Sequence, residues 1–67
     1  MLIGNVMNWR VVLEQDRGTG DWAVWCPELP GCTSAGETQN EALEEIREAI
    51  AFYLEQDPIK LNSGILV

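Results

Sequence analysis

TQNEALEEIREAIAFYLEQ, residues 38–56, is the stretch that decides the fold. Its apolar residues Ala42, Leu43, Ile46, Ala49, Ile50, Tyr53 and Leu54 recur three and four apart, which puts them on one stripe at about 100° per residue. Thr38 stands three residues before Glu41, a capping-box pattern. In it the Thr38 hydroxyl takes the Glu41 N–H, and the Glu41 carboxylate reaches back to the Thr38 N–H. Asp57-Pro58 marks the end, because the residue before a proline resists the helical region. The spacing predicts a helix from Gln39 to about Gln56. Its opposite face carries Glu41, Glu44, Glu48 and Glu55, with Glu45 beside them. A helix with one apolar stripe needs one apolar layer to lie on, and the residues before it must supply that layer.

Working towards the N-terminus, Cys32 to Ala35 reads as a brief strand ending at Gly36. Pro27-Glu28-Leu29-Pro30-Gly31 is a stiff, turn-rich loop, and Pro27 stops the strand Asp21–Cys26 because it has no N–H to give to a ladder. Asp16-Arg17-Gly18-Thr19-Gly20 is a glycine turn. Before it, Val6 to Gln15 alternates: Met7, Trp9, Val11 and Leu13 share one face, and Asn8, Arg10, Val12 and Glu14 the other. Beyond the helix, Ile65-Leu66-Val67 reads as a last strand. The expected fold is therefore α+β, in the order βββαβ, with one helix packed on one face of a small sheet and a right-handed final crossover. The 67 residues form one expected domain, 1–67. A chain this short buries only about 60% of its unfolded surface, which makes self-association a natural supplement to a thin core.

Charge narrows the function. Lys and Arg number 4 against 11 Asp and Glu, for a net charge of −7. Phosphate backbones and anionic membrane surfaces repel such a chain, and a basic partner attracts it. Neither nucleic-acid nor membrane binding is expected. The first residues have no basic region ahead of a long apolar run, so the expected location is cytoplasmic, with Cys26 and Cys32 reduced.

The residues for bond-breaking chemistry are scarce. The sequence has no His, which removes the commonest acid–base group and the usual partner of a nucleophilic Ser or Cys. Two cysteines fall short of a structural zinc site and read as small buried apolar residues. Gly18 and Gly20 lack the helix and the Lys-Ser/Thr pair of a phosphate loop. A metal-dependent nuclease would need carboxylates converging from different elements. The nearest cluster, Glu14, Asp16 and Asp21, flanks a surface turn, where charge keeps a hairpin tip soluble. No catalytic residue, metal or cofactor is expected.

Three features remain for binding. The acidic helix face is either a solvated surface or one that steers a cationic partner. The loop Pro27, Glu28, Leu29, Pro30 either presents its residues with little ordering cost or only redirects the chain between strands. Trp22 and Trp25 have opposite parity on one strand, so one of them belongs on the open side of the sheet, where an aromatic can anchor a second copy.

The run Asp21-Trp22-Ala23-Val24-Trp25-Cys26-Pro27-Glu28-Leu29-Pro30-Gly31-Cys32-Thr33 resembles the signature of the HicB antitoxin family, an aromatic-led strand followed by Pro-acid-Leu-Pro-Gly-Cys. The likeness continues through Gly36-Glu37-Thr38, Glu41-Ala42-Leu43 and Glu48-Ala49-Ile50, over roughly residues 9 to 55. It implies a partial ribonuclease-H-like βββαβ domain without that fold's catalytic carboxylates. It further implies a binding module that neutralises a small basic RNA-cleaving toxin of HicA type. Complete members of the family add a C-terminal DNA-binding domain, which is not expected in a chain ending at Val67. The expected contacts are Pro27, Glu28, Leu29, Pro30, Glu41, Glu44, Glu48 and Glu55, with Trp22 and Trp25 as candidates for a homodimer interface. The alternative is a solitary adaptor without a toxin.

Overall fold

The helix lies where its periodicity puts it. The computed structural model describes residues 1–55, in which α1 runs from Gln39 to Glu55 behind four strands: β1 (Leu2–Val6), β2 (Trp9–Gln15), β3 (Trp22–Trp25) and β4 (Thr33–Gly36). The strands form one sheet in the order β1-β2-β3-β4, each antiparallel to its neighbour, and α1 covers one face. The α+β class, with one helix among the described residues packed on one face of the sheet, therefore holds. The expected last strand, Ile65–Val67, its crossover and the Asp57-Pro58 stop lie outside the described residues.

One strand was hidden. The single strand expected over Val6–Gln15 is broken at Met7 and Asn8, whose φ angles are 53° and 70°. Two consecutive left-handed residues make a tight hairpin turn whose twist suits the flanking strands. It pairs Val6 with Trp9 and Leu2 with Leu13. Four strands thus precede the helix rather than three. Met7 sits in the turn and is exposed instead of facing the core.

The β2–β3 turn is held by its own side chains. Asp16 Oδ1 accepts the Gly18 N–H at 2.7 Å and the Thr19 N–H at 3.2 Å, and Thr19 Oγ1 accepts the Asp21 N–H at 3.2 Å. At the helix start, Thr38 Oγ1 accepts the Glu41 N–H at 3.1 Å, as the capping box requires. The return bond differs from expectation: Glu41 Oε1 accepts the Glu37 N–H at 3.0 Å, one residue earlier than Thr38.

Between the layers, Val11, Leu13, Val24 and Cys26 from the sheet meet Ala42, Ile46 and Ile50 from the helix, with Leu29 and Cys32 closing one end. Trp9 and Trp22 pack at the margin of this cluster, so Trp22 is the tryptophan on the helix side and Trp25 the one on the open side. Leu54, although in phase with the apolar stripe, is exposed near the helix end. Fully burying a side chain such as Ile46 or Ile50 contributes about 1.5–3 kcal/mol.

The helix begins almost on top of β4. A Cβ added at Gly36 would lie 2.5 Å from the Ala42 nitrogen and 2.9 Å from the Glu41 carbonyl carbon, both backbone atoms that cannot rotate away. Gly36→Ala should therefore lower the unfolding free energy by about 1–3 kcal/mol. Gly4→Ala, whose Cβ would meet only Val11 and Leu13 side chains at 3.7 and 3.8 Å, should change it by less than about 1 kcal/mol. Urea unfolding of the two variants tests this; equal losses would contradict the close approach.

Candidate partner-binding surfaces

A two-layer molecule has two outward surfaces, the back of the helix and the open face of the sheet. Burial of Ala42, Ile46 and Ile50 turns the opposite side of α1 to solvent, and Glu41, Glu44, Glu48 and Glu55 are all exposed there. Phe52 is 65% exposed, four residues after Glu48 and three before Glu55, and so shares their face. In the sequence, Phe52 belongs to neither the apolar stripe nor the set of glutamates. Its phase at 100° per residue was the available signal, for it falls beside Glu45 and Glu48 rather than on the apolar stripe.

At the flank of this surface, Arg47 lies beside Glu44. The two line a shallow groove with Leu43 and with Asn5, Val6 and Met7 of the β1–β2 hairpin. The hairpin that the sequence hid thus forms one wall of the groove.

The loop between β3 and β4 is closed by its own backbone. The Cys26 N–H donates to the Cys32 carbonyl at 3.0 Å, the Leu29 N–H to the Cys26 carbonyl at 3.1 Å, and the Cys32 N–H to the Leu29 carbonyl at 3.0 Å. Gly31, at φ 82°, makes the left-handed step that returns the chain to β4. Pro27, Glu28 and Pro30 are exposed, but Leu29 points into the core with 7% exposure. Leu29 therefore anchors the loop from inside, where the sequence reading had it presented to a partner. Glu28 remains on show between two prolines.

On the open side of the sheet, the registers place Ile3 opposite Val12, Val12 opposite Trp25, and Trp25 opposite Thr33. Trp25, half-buried, thus lies on the open side of the sheet, while Trp22 is committed to the helix side.

Cys26 and Cys32 are free thiols, both buried in the core cluster. Burial, and secondarily the neighbouring Cys26, push the Cys32 thiol above its ordinary value. Among the described residues no group of three or more His, Cys, Asp or Glu is placed to hold a metal ion, and no helix is long and apolar enough to cross a membrane. The Asp16 carboxylate is engaged in holding its own turn.

A family model described as the HicB_like antitoxin of bacterial toxin-antitoxin systems matches residues 9–63. A UPF0150 protein of the cyanobacterium Synechocystis is 42% identical over 50 residues, covering 75% of this chain and 62% of its own length. UPF0150 proteins of Thermoplasma acidophilum and Archaeoglobus fulgidus are 43% and 39% identical over 49 residues, each alignment covering 73% of this chain and 70% of the relative. The chain spans less than two thirds of the cyanobacterial relative's length. No solved structure matches. The chain belongs to the HicB-like antitoxin family.

The buried thiols yield a prediction with a definite sign. Because the folded state holds the Cys32 proton more tightly, its contribution to stability is complete below the unfolded thiol's pKa and is lost as pH rises through and above it. Native protein should also react with a chromogenic disulfide reagent at least about tenfold more slowly than the unfolded chain. Equal rates in the two states, read by absorbance, would contradict the burial of the pair.

Proposed function

We propose that this domain, residues 1–67, is a non-catalytic cytoplasmic module that neutralises a small basic RNA-cleaving toxin of HicA type and works as a homodimer. Membership of an antitoxin family implies a toxin as partner, and it is the observation that carries the reading. The surface chemistry agrees with a cationic target. The net charge is −7, and the exposed face of α1 concentrates Glu41, Glu44, Glu45 and Glu48 with Arg47 alone at its edge. Opposite charge steers encounter and favours cationic partners over anionic ones.

Phe52 supplies what a purely acidic face lacks. An exposed aromatic beside carboxylates can bury its ring against a partner and accept an Arg guanidinium or Lys ammonium over its face. Glu28, held between Pro27 and Pro30 on an internally hydrogen-bonded loop, offers one more carboxylate at small ordering cost.

The test is capture of the small basic protein encoded next to this chain's gene, followed by a salt series. Surface attraction is screened over a Debye length of about 8 Å at physiological ionic strength, so affinity should fall steeply with salt. The double charge reversal Glu44→Lys/Glu48→Lys should weaken binding at least about tenfold, with the fold retained by circular dichroism. Absent or salt-insensitive binding would contradict the toxin reading and leave the solitary adaptor in its place.

A further inference from the structure

We propose that two copies of this chain meet through the open face of the sheet, about a two-fold axis running along the row Ile3–Val12–Trp25–Thr33. The inference rests on the homodimer reading above and names its surface and geometry.

The row crosses all four strands in continuous register. Val12 is only 7% exposed although it points away from the helix and stands outside the core cluster. Its cross-strand neighbours are Ile3 and Trp25, and Ile3 is itself 66% exposed. The centre of an outward face is therefore already apolar and partly dry, as the centre of a protein interface is. Ala23 and Ala35, paired on the same face, leave room beside the indole for close approach.

The charges set the geometry. Among the described strand residues on this face only Arg10 and Glu14 are charged, and they lie on β2 two positions to either side of Val12. Their cross-strand partners are Asn5 and Ala23, which are neutral. Four residues of strand separate the two by about 13 Å, too far to pair with each other. Two in-plane two-folds can bring this face against itself. An axis along the strands stacks Arg10 on Arg10 and Glu14 on Glu14. An axis along the row makes the two β2 strands antiparallel and sets Arg10 of each copy on Glu14 of the other. Only the second gives two attractive pairs, in a self-complementary isologous contact with aligned sheets.

The same choice deals with the net charge. Two copies carrying −7 each repel overall, but the described strand residues of this face sum to zero. Pairing through it leaves both acidic helix faces on the outside, so self-association and partner binding use opposite surfaces.

The experiment is sedimentation velocity on the full chain with two exposed-site variants, their folds checked by circular dichroism. The wild type should be dimeric. Arg10→Glu and Glu14→Arg should each weaken self-association at least about tenfold, since like charges then face each other across the axis. An equimolar mixture of the two variants should recover dimers, because in the heterodimer both pairs are again opposite. Ile3→Cys, which places a thiol beside its symmetry mate, should give a covalent dimer with a short bis-maleimide and provides a readout independent of the charge variants. A monomeric wild type would overturn the homodimer reading itself. A dimeric wild type whose affinity both charge variants leave unchanged, or an Ile3→Cys chain that does not cross-link, would overturn this interface while leaving the homodimer standing.

Discussion

The contact of Ile46 and Ile50 with Val11 and Val24 holds the two layers together; these are the largest fully buried side chains among the described residues. Without this packing neither layer has reason to persist. An isolated helix of this length is marginal in water, and a small sheet needs its apolar face covered. The contact also decides orientation. Once Ile46 and Ile50 face inward, the 100° step sends Glu41, Glu44, Glu48 and Phe52 outward. Likewise, once Val11 and Val24 face the helix, the two-residue alternation sends Val12 and Trp25 to the open side.

Much of this was legible because the signals are local. Thr38 and Glu41 announce the helix start through atoms only three residues apart, and Pro27 and the Asp16–Gly20 segment punctuate the strands by backbone chemistry. The first hairpin was not legible, for a physical reason. Its turn uses Met7 and Asn8 rather than an Asn-Gly pair, and β1 contains Gly4 and Asn5, which are poor strand formers. Alternation at Met7, Trp9, Val11 and Leu13 runs through the turn, so period alone prolongs β2 across it. The left-handed backbone at Met7 and Asn8 and the pairing of Val6 with Trp9 reveal the break.

The candidate surfaces were legible to different depths. The exposure of the four glutamates follows from phase and was expected. Leu29 was not, because two flanking prolines speak for a stiff loop but not for the direction of the side chain between them; the core's demand for apolar cover turned it inward. Trp22 and Trp25 could be separated by parity, but assigning them to faces required the register of β3 against β2 and β4. Phe52 went unassigned because attention to the apolar stripe leaves an aromatic of the wrong phase without a place. Its exposure puts an aromatic among the carboxylates of the outer helix face.

In the proposed function, the outward side of α1 is the side that meets a cationic protein. Amide NMR spectra of the labelled domain, recorded as unlabelled basic partner is added, test this most directly. Resonances of Glu44, Glu48 and Phe52 should move or broaden first, while those of Val12 and Trp25 stay in place. Perturbations confined to the open sheet face, with the outer helix unmoved, would contradict it.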